Sequence, residues 1–159
     1  MTLSTAILGR SEVVQAWRTL LQRALAEGTR ELWCSDVDFA DWPLNEPALV
    51  EALVRWAKPH HRLHLLAQHY DEMPRRHPRF VRWRRDWGHL VQAWCVEDLD
   101  ASQQPCLLIA GDRSIELLDR EHWRAVASEE AADAQRARER LDAILQRSAP
   151  GFAATTLGL

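Results

Sequence analysis

The chain has 159 residues and a mass of 18.3 kDa, 47% of it hydrophobic and 27% charged, which suits one soluble globular domain with its own core. Twenty Lys plus Arg against 23 Asp plus Glu leave a formal charge of -3, so the overall balance marks neither a nucleic-acid binder nor a membrane-surface protein, and any basic site must be local. No run approaches the ~18 apolar residues of a membrane helix, and MTLSTAILGR has neither a basic leader nor a long apolar centre, so a cytoplasmic location is expected.

Thr5 to Leu8 reads as a short strand. A helix follows from Glu12 to Glu27, where Val13, Trp17, Leu20, Leu21, Ala24 and Leu25 recur at helical spacing between a capping Ser11 and a terminating Gly28. RELWCS is a buried-strand pattern that runs into the acidic turn Asp36-Val37-Asp38 and Asp41-Trp42-Pro43. Asn45 is the expected cap of a second helix with Pro47 in its first turn and Leu49, Leu53 and Trp56 on one face. A strand is expected from Arg62 to His69, a loop from Met73, and a helix from Pro78 that stops at Gly88. HLVQAWCV forms the next strand, and the polar stretch from Glu97 to Gln104 a loop.

CLLIA and SIELL flank Gly111-Asp112-Arg113, the signature of a hairpin. A short helix is expected around Arg120 to Ala127, and a longer one from Ser128 to Arg147, with Ala134, Ala137, Leu141, Ile144 and Leu145 as its apolar stripe. Residues 1–147 then form the domain, and 148–159 a tail that is loose or docked on a partner. Helices alternating with apolar strands predict a single mixed, largely parallel α/β sheet flanked by helices on both faces, closed by a C-terminal helix. Cys34, Cys95 and Cys106 are odd in number and form no CxxC pair, so each is expected to be a reduced packing residue. Most of the eight Trp are expected in the core.

Ligands of such sheets favour the carboxyl ends of strands, which here supply Ser35, Asp36 and Asp38 from one loop and His69, Tyr70 and Asp71 from another. LWCSDVDFAD and LLIAGDRSIE together resemble the first and last motifs of haloacid-dehalogenase-like phosphatases. That resemblance implies a Mg²⁺-dependent phosphohydrolase with Asp36 as nucleophile, Asp38 as acid/base, Asp112 toward the metal and Glu116 in place of the final Asp. No Ser or Thr ends the following strand, and the only Lys, Lys58, precedes it. The five histidines from His60 to His77 fit no closed zinc geometry, because His64 and His69 differ by an odd number and would face opposite sides of one strand. No motif calls for a cofactor or a metal.

The local basic feature runs from Pro74 to Arg85. At 3.6 residues per turn Phe80, Trp83 and Trp87 share the inward face, and Arg79, Arg82 and Arg85 share the other. With Arg75, Arg76 and His69 they form a candidate anion site, since guanidinium forks match phosphate oxygens. The competing reading is a solvated face whose Arg residues pair with Asp36, Asp38, Asp41 or Asp71.

RELWCSDVDFADWPL, HRLHLLAQHYDEM with PRFVRWRRDW, and LLIAGDRSIELLDREHW together resemble a small bacterial group of phospholipase-D-like domains, over most of residues 5 to 145. The resemblance implies a sheet flanked by helices and an HxKxxxxD motif, whose His is the nucleophile and whose Lys binds phosphate. In one register Gln104 stands at the His, Cys106 at the Lys and Gly111 at the Asp; shifted to use Asp112, Pro105 and Leu107 take the first two places. Neither register supplies a nucleophile, so a non-catalytic binding or protein-interaction domain is expected. A protein partner or a second copy is expected ahead of nucleic acid, and a membrane is not.

Overall fold

The computed structural model describes residues 4–152. β1 (Ser4–Leu8) turns at Gly9 into α1 (Arg10–Glu27), which buries Val13, Trp17, Leu20, Leu21, Ala24 and Leu25 as the periodicity predicts. The helix begins at Gly9 rather than Ser11, with no side-chain cap, and ends at Gly28, whose φ of 74° is the left-handed conformation that favours glycine. β2 (Glu31–Ser35), α2 (Pro47–Trp56), β3 (Arg62–Ala67), α3 (Glu72–Arg76), α4 (Pro78–Asp86) and β4 (Val91–Cys95) follow. β5 (Cys106–Ala110), β6 (Arg113–Asp119), β7 (Arg124–Ser128), α5 (Ala131–Leu145) and the two-residue β8 (Ala149–Pro150) follow in turn among the described residues.

The eight strands form one open sheet in the order β1-β7-β6-β5-β2-β3-β4-β8. Among the described residues only the β2–β3 and β3–β4 pairs are parallel and the other pairs are antiparallel, so the expectation of a largely parallel sheet is corrected. The reason is connection length. α2 and the α3–α4 unit carry the chain back across the sheet between β2, β3 and β4, whereas β5, β6 and β7 follow one another through short turns.

β7 also overturns the helix expected from Arg120 to Ala127. The turn is set by Trp123 at φ 51° and by the His122 amide donating to Asp119 Oδ1 at 3.0 Å, and Arg124–Ser128 then fills the slot between β1 and β6. β3 ends two residues before His69 because the amides of Gln68 and His69 both turn to donate to the Val37 carbonyl. Asn45 does not cap α2; its Oδ1 accepts from the Arg79 amide in the first turn of α4 instead.

One sheet face carries the larger core, where α1, α2 and α4 pack on Leu32, Cys34, Leu63, Leu65, Leu108 and Ile115. α5 covers the other face with Ala134, Ala137, Leu141 and Ile144 over Leu107 and Ile109. Trp17 and Trp42 stack with centroids 4.6 Å apart, and Trp56 and Trp83 are also buried, while Trp33, Trp87, Trp94 and Trp123 are partly covered. All three cysteines are free thiols. Beyond α5, β8 pairs with the end of β4, and Phe152 lies flat on Tyr70 with centroids 5.1 Å apart.

Candidate functional site

Strand direction decides which side chains meet. β5 runs antiparallel to both β2 and β6, pairing Ser35 with Leu107 and Cys106 with Leu117, so one sheet edge gathers the end of β2, the start of β5 and the end of β6. A cleft of about 570 Å³ opens there, lined by Asp38, Ser102, Gln104, Cys106 and Arg120. Beneath it Asp36, 1% exposed, accepts from the Arg120 guanidinium through Oδ1 and from the Phe39 amide through Oδ2 at 3.1 Å. Burial alone would lower the Arg120 pKa, but the Asp36 carboxylate outweighs it and keeps the guanidinium charged.

In the register that uses Gly111, the positions that the phospholipase-D-like resemblance assigns to the nucleophile and the phosphate ligand, Gln104 and Cys106, fall in this cleft, whereas Leu107 of the shifted register lies in the core under α5. Gln104 is buried and donates to Ser35 Oγ at 2.9 Å, Ser35 Oγ donates to the Pro105 carbonyl at 2.7 Å, and Gln68 donates to Gln104 Oε1 at 3.3 Å. Burial, with Asp36 adding to it, pushes the Cys106 thiol well above its ordinary range, so it stays protonated. Uncharged or internally paired groups thus occupy the floor of the cleft.

Asp36 and Asp38 do not meet Asp112. Leu32 pairs with Ala110, so the turn that carries Asp112 lies at the opposite sheet edge from Asp36, several residue rises away. Among the described residues no three His, Cys, Asp or Glu side chains converge as a metal site would require. The carboxylate constellation expected of a haloacid-dehalogenase-like site is therefore not assembled. Arg120, expected inside a helix, is the functional-looking residue that sequence reasoning missed; its partner Asp36 is 84 residues away.

The basic segment divides into two elements. Arg75 and Arg76 lie on α3, both held by Glu72 at 3.2 and 2.8 Å. Arg79, Arg82 and Arg85 lie exposed along α4, opposite the buried Phe80 and Trp83. Arg79 donates to the Asn45 carbonyl, while Arg84 is buried and donates to the carbonyls of Gly88 and Phe152. His69 is exposed on the β3–α3 connection, and among the described residues no hydrogen bond joins it to these arginines. The anticipated pairing with loop acids does not form, because Asp36 takes Arg120 and Asp41 takes Arg10.

Ion pairs are unevenly distributed over the molecule. Among the described residues, every Lys or Arg without a carboxylate partner lies between positions 30 and 85, apart from Arg138, which donates to Gly111 and Gln135. A chain with a formal charge of -3 thus carries its uncompensated positive charge on the half built from α2, α4 and the starts of β2 and β3.

No protein-family model matches the chain, and no curated protein matches it. Among solved structures it is similar to TrmBL2, an archaeal chromatin protein described as having a novel mode of DNA binding, with a TM-score of 0.63 and 12% identity over 91% of this chain and 52% of that one. It is similar to NucT from Helicobacter pylori, with a TM-score of 0.58 and 6% identity over 93% of this chain and 98% of that one. It also resembles Nuc from Salmonella typhimurium, a phospholipase D family member, with a TM-score of 0.56 and 10% identity over 94% and 99% of the two chains. The chain spans about half the length of TrmBL2 and nearly all of NucT and Nuc. At these identities the likeness is one of architecture, and the chain has the phospholipase-D-like α/β fold.

Proposed function

We propose that this chain is a non-catalytic binding domain whose α4 ridge takes the phosphate backbone of a nucleic acid. The observation that carries the reading is the exposed line Arg79, Arg82 and Arg85, in which Arg82 and Arg85 have no ion-pair partner among the described residues. Unpaired guanidinium groups at helical spacing on a packed helix are preorganised for phosphate oxygens, and the helix needs no ordering on binding. The architectural likeness to a DNA-binding chromatin protein adds support. The non-catalytic part rests on the cleft: Gln104 cannot form a phosphohistidine, and the buried Cys106 thiol is held protonated.

The test follows anisotropy of labelled single- and double-stranded oligonucleotides at several salt concentrations. Affinity should fall linearly with log salt, and the Arg79→Ala/Arg82→Ala/Arg85→Ala variant should bind about tenfold or more weakly with a slope smaller by about 2 to 3. The same preparation should not turn over bis(p-nitrophenyl) phosphate, with or without Mg²⁺. No binding at low salt would end the nucleic-acid reading and point the ridge to an acidic protein partner.

A further inference from the structure

A further concave surface shares no lining residue with the ridge or the cleft. It is a groove of about 550 Å³ between the C-terminal turns of α1 and one side of α2 from Ala48 to Trp56. Its walls are apolar, built from Leu25, Ala26, Ala48, Ala52 and the edge of Trp56. Its polar lining consists of Gln22, Arg55, Lys58 and His61, with no carboxylate. We infer that this groove is an anion site for a phosphomonoester attached to a compact aromatic or apolar body.

Two features of the local structure support that chemistry. Helix C-termini ordinarily repel anions, because their last carbonyls point outward with partial negative charge. Here part of that charge is taken up: the amides of Gly28, Thr29 and Ala57 donate to the carbonyls of Leu25, Ala24 and Leu53, and Arg62 donates to the carbonyls of Pro59 and His61 just beyond α2. Trp56 Nε1 donates to the Thr29 carbonyl at 2.7 Å, and His61 Nδ1 meets the Trp56 carbonyl at 2.6 Å. The negative end of each helix is thus partly offset from within the fold, and the charged side chains that line the groove are cationic.

The second feature is the surplus of cations around the mouth. Arg55 and Lys58 have no ion-pair partner among the described residues, and Glu27, the nearest acid on α1, is already held by Arg23 and Arg113. His60 stands beside His61, with ring centroids 4.5 Å apart. Desolvation first, then the neighbouring His61, Arg30 and Lys58, lower the pKa of this exposed ring. Two fixed cations match a phosphate dianion, and a groove of this size takes a ring or short chain beside it.

Isothermal titration of the pure protein with phenyl phosphate, inorganic phosphate and benzoate tests the inference. Phenyl phosphate should bind most tightly, about tenfold better than inorganic phosphate, since only it fills the apolar wall as well. Binding should drop at least about tenfold in the Arg55→Gln/Lys58→Gln variant, recover with Lys58→Arg alone, and persist in the α4 triple Ala variant. Both groove positions are solvent-exposed, so the variants should retain the wild-type melting temperature. No heat with phenyl phosphate at millimolar concentration, or binding that the groove variant leaves unchanged, would overturn the site. Inorganic phosphate binding as well as phenyl phosphate would overturn the ligand class. The oligonucleotide experiment probes α4 separately, so either result there leaves this one standing.

Discussion

Asp36 is 1% exposed, whereas the Arg120 side chain keeps 43% of its surface in water, and that asymmetry ranks two substitutions. Arg120→Met leaves a buried carboxylate without its charged partner and should cost about 3 kcal/mol in denaturant unfolding. Asp36→Asn keeps an acceptor for that amide and releases an arginine that water can take up, so the loss should be smaller, about 1 kcal/mol. The reverse ranking would show that the pair is not held as described. Two histidines set a pH dependence. Burial lowers the pKa of His64, which stacks on Trp33, and of His77, whose Nε2 meets the Phe39 carbonyl at 2.8 Å. Above the ordinary histidine pKa of about 6.5 both are neutral in folded and unfolded chains, and their contribution is intact. As pH falls below that value the unfolded chain takes up protons that the folded one resists, so melting temperature should decline from about pH 7 to pH 5. His64→Leu should flatten that decline. At this scale the sequence placed Asp36 correctly at a strand end, but an ion pair spanning 84 residues leaves no local trace, and Arg120 was invisible as its partner.

Elements whose faces differ in polarity were readable. α1, α2 and α4 each declare an apolar stripe, and the β5–β6 hairpin is marked by its Gly-Asp turn. β7 was not readable, because RAVAS between Glu- and Ala-rich stretches favours a helix on composition, and only the two strands beside it make an extended conformation pay off in hydrogen bonds. α3 was hidden for another reason: Pro74 and Pro78 suggest a loop, yet each sits in the first turn of a short helix or at its start, where proline is tolerated. The misplaced cap at Asn45 yields a prediction about α4. Its Oδ1 serves the Arg79 amide from 34 residues away, so Asn45→Ala should cost about 1 kcal/mol of stability, and amide exchange should quicken at the start of α4 while α2 is unaffected. Faster exchange in α2 instead would return Asn45 to its sequence-expected role.

At the scale of the whole molecule the sheet has two characters, three parallel strands joined by helices and an antiparallel remainder joined by turns. The uncompensated positive charge follows the first of these, where the ridge and the groove both lie. Composition averaged that charge away, and only the placement of ion pairs recovers it. The sheet also ends differently on its two sides. Among the described residues β1 pairs with β7 alone, whereas β4 is bordered at its end by Ala149 and Pro150, the latter without an amide hydrogen to offer a further strand. Gly151 then passes so close that a methyl group there would stand 3.2 Å from both Cys95 and Tyr70. Growth of the sheet into a polymer, the ordinary hazard of an open β-structure, is thereby hindered at the Trp94–Cys95 end of β4, while Val91 and Gln92 have no strand partner on that side among the described residues.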